Sequence, residues 1–470
     1  MPRHTRNSSC PGYRSARLLR RDALKVGGLG MLGLTMPKLL EAAEAQPAVG
    51  AKPQAAKSVI FLFQFGGPSH PETFDMKPDA PDGIRSQFGT IATSLPGLRI
   101  CEHLPETAKI MHKVTLLRSL AHKMKNHNSA SYYALTGHAP PLDDIRLRDS
   151  LELYPAYGST VDRFAPPRAG MPTFVAFPHV IRDGAITPGQ HASFLGKKHD
   201  PLLITEDPND RNFKLPELSL PANLDPKRLA SRRSIQKLIE GQLRMQDYSA
   251  KARGLNAYYE KALSMLQSPK VRKAFDISKE PEKLREKYGR TTYGQSLILA
   301  RRLVEAGVTF VNVYFAKSIG GQKIGNGGWD THGFNNTRMY PILKGWHLPI
   351  TDKTLPVFLN DLEDRGLLDS TLVVWMGEFG RTPKINKNIS RDHWPQCYTA
   401  LLAGGGVKRG YIHGASDKNA AYPDRDAARP DDLAATMYAL LGIDPHTEVR
   451  DHLNRPLPIA AGKPITGVMR

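Results

Sequence analysis

Ser58-Val59-Ile60-Phe61-Leu62-Phe63-Gln64-Phe65 is an almost unbroken apolar run, closed by Gly66-Gly67-Pro68. Such a run, without polar alternation, predicts a strand buried on both faces, as in a parallel sheet. Further buried strands are predicted at Val114–Arg118, Thr173–Phe177, Val308–Phe315, Thr371–Met376 and Tyr398–Ala403. Between them the apolar spacing turns helical, over 126–137, 291–306, 352–365 and 431–441. Asp431-Asp432 suit the positive end of the last helix. Strands alternating with helices predict an α/β fold: a doubly wound, mostly parallel sheet with helices on both faces. Residues 178–222 are rich in Pro, Asp and Gly, and 223–268 read as a long charged helix. Together they predict a helical insertion at about 178–290 within a single domain spanning 58–470. Ligands in such sheets bind at the carboxyl ends of strands, so the loops after strands are where chemistry is expected.

The first 45 residues do not fit this pattern. Arg20-Arg21-Asp22-Ala23-Leu24-Lys25 is a twin-arginine motif, followed by a weakly apolar, Gly-rich stretch and the small-x-small site Ala43-Glu44-Ala45. This predicts a twin-arginine signal peptide over 1–45 and a linker over 46–57. The expected partner during export is the twin-arginine translocase, and the expected location is periplasmic or secreted. The stretch is too short to span a bilayer, and no span is expected in the mature chain. Lys and Arg total 65 against 45 Asp and Glu, a formal charge of +20. Loss of the leader lowers this to about +15. The excess is dispersed and accompanies no nucleic-acid motif, so an anionic small molecule or polysaccharide is expected and no nucleic acid. Beyond Cys10 in the leader, Cys101 and Cys397 either pair or remain two buried thiols.

Three loops beside predicted strands concentrate metal-capable side chains: Gly327-Gly328-Trp329-Asp330-Thr331-His332, Gly377-Glu378-Phe379-Gly380-Arg381 and Ser390-Arg391-Asp392-His393-Trp394. Carboxylates and imidazoles suit Zn²⁺, Mn²⁺ or another divalent ion. Asp330 and His332 are two residues apart, so an extended segment points both to one side. Arg381 and Arg391 are candidates to hold an anion bidentately. Trp329 and Trp394 either wall off water, stack on a sugar ring or pack the loops. In the N-terminal half, Ser69, His70 and Asp75 follow the first strand as candidate ligands or substrate contacts. His127 and Ser129 stand at the start of the 126–137 helix. Ser129 reads either as a nucleophile or as a plain helix cap. His70 and His127 are candidate acids or bases.

FQFGGPSHPETFD, HNSASYYALTGH, GGWDTHGFN, MGEFGRTP and RDHWP, taken with the twin-arginine leader, resemble the exported bacterial family called domain of unknown function 1501. That resemblance implies an alkaline phosphatase-like fold, shared with sulfatases and phosphatases. It implies metal ligands at Asp330, His332 and His393, with Glu378 where a second metal's ligands would stand. The ion implied is Zn, Mn or Ca. It also implies a nucleophile register at His127, with Ser129 two residues on. The superfamily's first strand ends in a metal-binding Asp, where this chain has Gln64 and Phe65. The function implied is an exported metal-dependent hydrolase of phosphate or sulfate esters, with sulfated polysaccharide among the candidate substrates. The alternative is a non-catalytic relative serving as a binding or structural module outside the cytoplasm.

Overall fold

A computed structural model describes residues 55–165, 170–213, 268–316, 328–334 and 338–470. The expected signal, most of the linker and almost all of 223–268 lie outside these residues. The apolar runs become strands of one eight-stranded sheet. In chain order these are β1 (Ser58–Gln64), β2 (Val114–Leu120), β3 (Phe174–Phe177), β4 (Leu202–Leu203), β5 (Phe310–Phe315), β6 (Thr371–Met376), β7 (Tyr398–Ala403) and β8 (Tyr411–His413). Their spatial order is β8-β2-β7-β6-β1-β5-β3-β4. Only β7 runs against the rest; every other pairing that does not involve it is parallel. The edge strands β4 and β8, of two and three residues, were not among the predicted strands, being too short for an apolar run to show.

The sheet is covered on both faces, and β1 shows how. Ile60 and Leu62 join one core cluster. It includes side chains of α3 (Thr292–Ala306) and α4 (Leu348–Asp364). Val59, Phe61 and Phe63 join the other, with side chains of α1 (His127–Thr136), α2 (Tyr157–Phe164) and α5 (Pro430–Leu440). Successive residues of a strand point to opposite faces, so a strand buried on both sides must be apolar throughout. Helix α4 contains most of the predicted 352–365 helix and is entered from Met339–Ile342 through a π-helical turn at Leu343–His347, so Pro349 falls just after that turn. Cys101 and Cys397 are separate buried thiols. Among the described residues no helix is long and apolar enough to cross a membrane.

Candidate metal centre

The carboxyl ends of β1, β2, β5 and β6 lead into the segments that build the site. After β1 the chain turns through Gly66, whose φ is +102°. A Cβ there would lie 2.2 Å from the Asp330 backbone nitrogen, so only glycine lets the two loops meet. Trp329 N–H donates to Phe65 O at 2.7 Å and fixes the Asp330 loop against the end of β1. After β6, Gly380–Arg381 pairs antiparallel with His393–Trp394, which brings His393 back over the sheet edge. His127 opens α1, where Asp143 accepts the backbone N–H groups of Lys125 and Asn126.

These segments bring His127, Asp330, His332 and His393 together, with one ligand atom of each lying within 4.8 Å of the others. Three imidazoles converge on one carboxylate oxygen. Asp330 Oδ1 is 2.6 Å from His332 Nε2, 3.2 Å from His393 Nε2 and 3.3 Å from His127 Nε2. Tetrahedral bonds of about 2.0–2.1 Å would set ligand atoms roughly 3.3 Å apart, close to the two longer separations. His127 Nε2 is buried and makes no hydrogen bond among the described residues. His393 Nδ1 lies 2.8 Å from Lys125 O, and His127 Nδ1 lies 2.7 Å from Glu378 Oε1. Each contact puts the ring proton on Nδ1 and leaves Nε2 free to face the cluster. His332 differs: Arg381 Nη1 donates to its Nδ1 at 3.4 Å, which puts the proton of the neutral ring on Nε2, 2.6 Å from Asp330 Oδ1. The donor set fits a divalent ion of the Zn or Mn kind, which would take the place of that proton. Phe379 packs against both His127 and His393, and Phe65 against His127. The inner side is thus dry, while the side chains of His332 and His393 keep 18% and 19% of their surface open.

The charges are strongly coupled. Burial opposes a charge on His127, but Asp330 and Glu378 outweigh it and push the imidazole up to about 10. Burial also opposes charge on Asp330, yet the neighbouring imidazoles hold its carboxyl well below the usual range. His393 is held well below the usual imidazole range by burial and by the charge on His127.

Several expected residues have other work. Glu378 is not in the ligand group: its oxygens accept from Gly66 N–H and His127. His127, expected at the nucleophile register, is the fourth member of the ligand group. Ser129 is not in the ligand group: its Oγ bonds the backbone of Leu142 and Asp144. Arg391 is buried in a bidentate pair with Glu72 and so cannot clamp a ligand. Arg381 lies beside the cluster, 3.1 Å from Asp330 Oδ1 and 3.4 Å from His332 Nδ1, and its other donors go to the carbonyls of Gly66, Gly67, Trp329 and Arg391. It stiffens the loops and is not free to hold an anion. His70 Nε2 lies 2.9 Å from Ala420 O, outside the cluster, and burial holds its ring below the usual imidazole range. Ser69 donates to Glu72, while Asp75 pairs with Lys77 and Arg118. Trp329 is buried on Gln64, and Trp394 packs against the exposed Tyr422. Gln64, where the resemblance sets a metal-binding Asp, belongs to the opposite face of the sheet and bonds Tyr293 and Trp329. Sequence reading placed His122 and Phe379 inside motifs but gave neither a role; a His or aromatic near a strand end is too common a signal.

The sequence matches the family described as Protein of unknown function (DUF1501) over residues 56–469. No curated protein matches it. Among solved structures it is similar to the lipoteichoic acid synthase LtaP from Listeria monocytogenes, at 9% identity over 86% of this chain and 78% of that one, with a TM-score of 0.38. It is similar to the PsFucS1 sulfatase from Pseudoalteromonas sp., at 12% identity over 87% and 72%, with a TM-score of 0.37. A mutant of alkaline phosphatase PafA is 10% identical over 90% and 100%, with a TM-score of 0.43. At these values the likeness bears on neither substrate nor chemistry. The match to the family spans nearly all of the chain, which therefore belongs to the DUF1501 family of proteins of unknown function.

Proposed function

We propose that the protein is an exported metal-dependent hydrolase of phosphate or sulfate esters. The observation that carries this reading is the convergence of three imidazoles on Asp330 at the carboxyl edge of the sheet, dry on one side and open on the other. A divalent ion held there would supply Lewis-acid polarisation of an ester oxygen. Asp330 would offset its charge, and His127, His332 and His393 would present Nε2 to it. Phe65 and Phe379 keep water from the inner side. Ser129 is committed elsewhere, so in this reading the nucleophile is water. The twin-arginine motif at Arg20-Arg21 supports export, and the dispersed positive charge suits an anionic ester or a sulfated polysaccharide.

The second reading is a non-catalytic binding or structural module outside the cytoplasm. It is favoured by one observation: Arg381 and Arg391, the expected anion clamps, are both spent on protein groups. Elemental analysis of the natively exported protein, with turnover of aryl phosphates and aryl sulfates, separates the readings. Stoichiometric metal with turnover supports the hydrolase. Stoichiometric metal without turnover of either ester class favours the module, and absence of metal rejects the metal centre.

A further inference from the structure

Of the three imidazoles in the cluster, His127 alone has a carboxylate within hydrogen-bond distance of Nδ1. Glu378 Oε1 is 2.7 Å away, whereas His393 Nδ1 meets the Lys125 carbonyl and His332 Nδ1 lies 3.7 Å from the half-exposed Asp392. Glu378 is fully buried, and its carboxylate also accepts Gly66 N–H at 2.9 and 3.1 Å. Its backbone is held from below. His122 Nδ1 accepts Met124 N–H, so its Nε2 carries the proton and donates to Glu378 O at 2.6 Å. The His122 ring is wedged against Tyr133 and Tyr398. His122, Glu378 and His127 thus form a chain running from the protein interior to the cluster.

Resting on the metal reading above, we propose that Glu378 is a positioning residue, which acts on the ion only through His127. An imidazole facing a carboxylate with Nδ1 must carry its proton there, which leaves the Nε2 lone pair directed at the cluster. The full negative charge also makes His127 a stronger donor than a backbone carbonyl would. Gly66 N–H fixes the carboxylate, and Gly66 in turn touches the Asp330 backbone, so His127 and Asp330 are set by the same turn.

The test is the affinity of the purified full chain for Zn²⁺ and Mn²⁺, by competition with a chelator, in four proteins: wild type, Glu378→Gln, His127→Ala and the double variant. Glu378→Gln keeps an oxygen for Gly66 and His127 and removes the charge. Its affinity is expected to fall by roughly 10–100-fold. In the His127→Ala background the same change is expected to alter affinity by no more than about twofold. Equal losses in both backgrounds would make Glu378 a ligand or a general structural element and overturn the proposal. So would unchanged affinity in Glu378→Gln. If the wild type binds neither ion, the metal reading itself fails and the proposal falls with it. Should Glu378→Gln not fold, nitrogen NMR of His127 in the zinc-loaded wild type decides: the Nδ1–H tautomer supports the proposal, and the Nε2–H tautomer overturns it.

Discussion

Two carboxylates in this molecule each gather basic side chains, with opposite outcomes. Glu72 meets Arg391 through Nε and Nη2, Tyr340 through its hydroxyl and Ser69 through Oγ, and none of its surface is exposed. The donors and acceptors match in number and geometry. Asp330 instead has three imidazole nitrogens and Arg381 Nη2 converging on one oxygen, with His127 Nε2 lacking a hydrogen bond among the described residues and His332 and His393 partly open to solvent. A saturated carboxylate holds a fold together, whereas a crowded and unsaturated one is shaped for something that is not protein. Charge and burial alone do not separate the two; the count of donors against acceptors does.

The comparison breaks most visibly at Glu72. Arg391→Met strands a buried carboxylate and is expected to cost about 3–5 kcal/mol, read by equilibrium urea denaturation. A loss below about 1 kcal/mol would mean that Glu72 is not held as described. At the other pole, His332→Ala should lower Zn²⁺ affinity by more than the roughly 10–100-fold typical of outer partners. It should move the stability of the metal-free protein by no more than about 1 kcal/mol. A large stability loss with affinity intact would reverse the two roles.

A third experiment uses a group remote from both poles. His138 stacks on Tyr154, and burial lowers its pKa to about 4, so it stays neutral in the fold while the unfolded chain binds a proton below about 6.5. The unfolded state therefore holds more protons between those values, and stability falls as the pH drops from 6.5 towards 4. The loss from this group is up to about 1.4 kcal/mol per pH unit, with none above 7. His138→Phe should flatten that slope, and an unchanged slope would remove His138 as its source. The smallest effect concerns the thiols. Burial raises Cys101 to about 12 and raises Cys397 as well. Neither should react with a thiol reagent until the protein is denatured, and a reductant should leave the melting temperature unchanged.

The fold was legible because its strands are apolar throughout; each predicted strand lies within two residues of an observed one at either end. The direction of β7 was not legible, since an apolar run carries no sign. The candidate site was legible as three loops, and Asp330, His332 and His393 do converge. The roles of the remaining residues were not, because they depend on partners far along the chain. Arg391 reads as a free cation until Glu72, 319 positions away, occupies it. Glu378 reads as a ligand until His127, 251 positions away, faces its carboxylate and joins the cluster itself. Ser129 is settled by a loop only 13 to 15 residues on, whose carbonyls no side-chain pattern announces.

Gln64 has a bearing on how the family can change. Its carbonyl oxygen accepts the Trp329 indole N–H at 3.1 Å, and its amide donates to the Tyr293 hydroxyl at 3.0 Å. It is the joint between a helix on one face and the loop that carries Asp330. A carboxylate placed here by a single codon change or by design could not donate to Tyr293, and as Asp it would be a carbon short of Trp329. As Glu it would keep the indole and could take the Tyr293 hydroxyl as a donor in place of the bond it no longer gives. As Asp it would leave the Asp330 loop resting on its backbone bonds, Trp329 N–H to Phe65 O among them. An acid at the end of the first strand is therefore admitted in steps: as Glu it inherits the Gln64 joint, and only as Asp does it give that joint up.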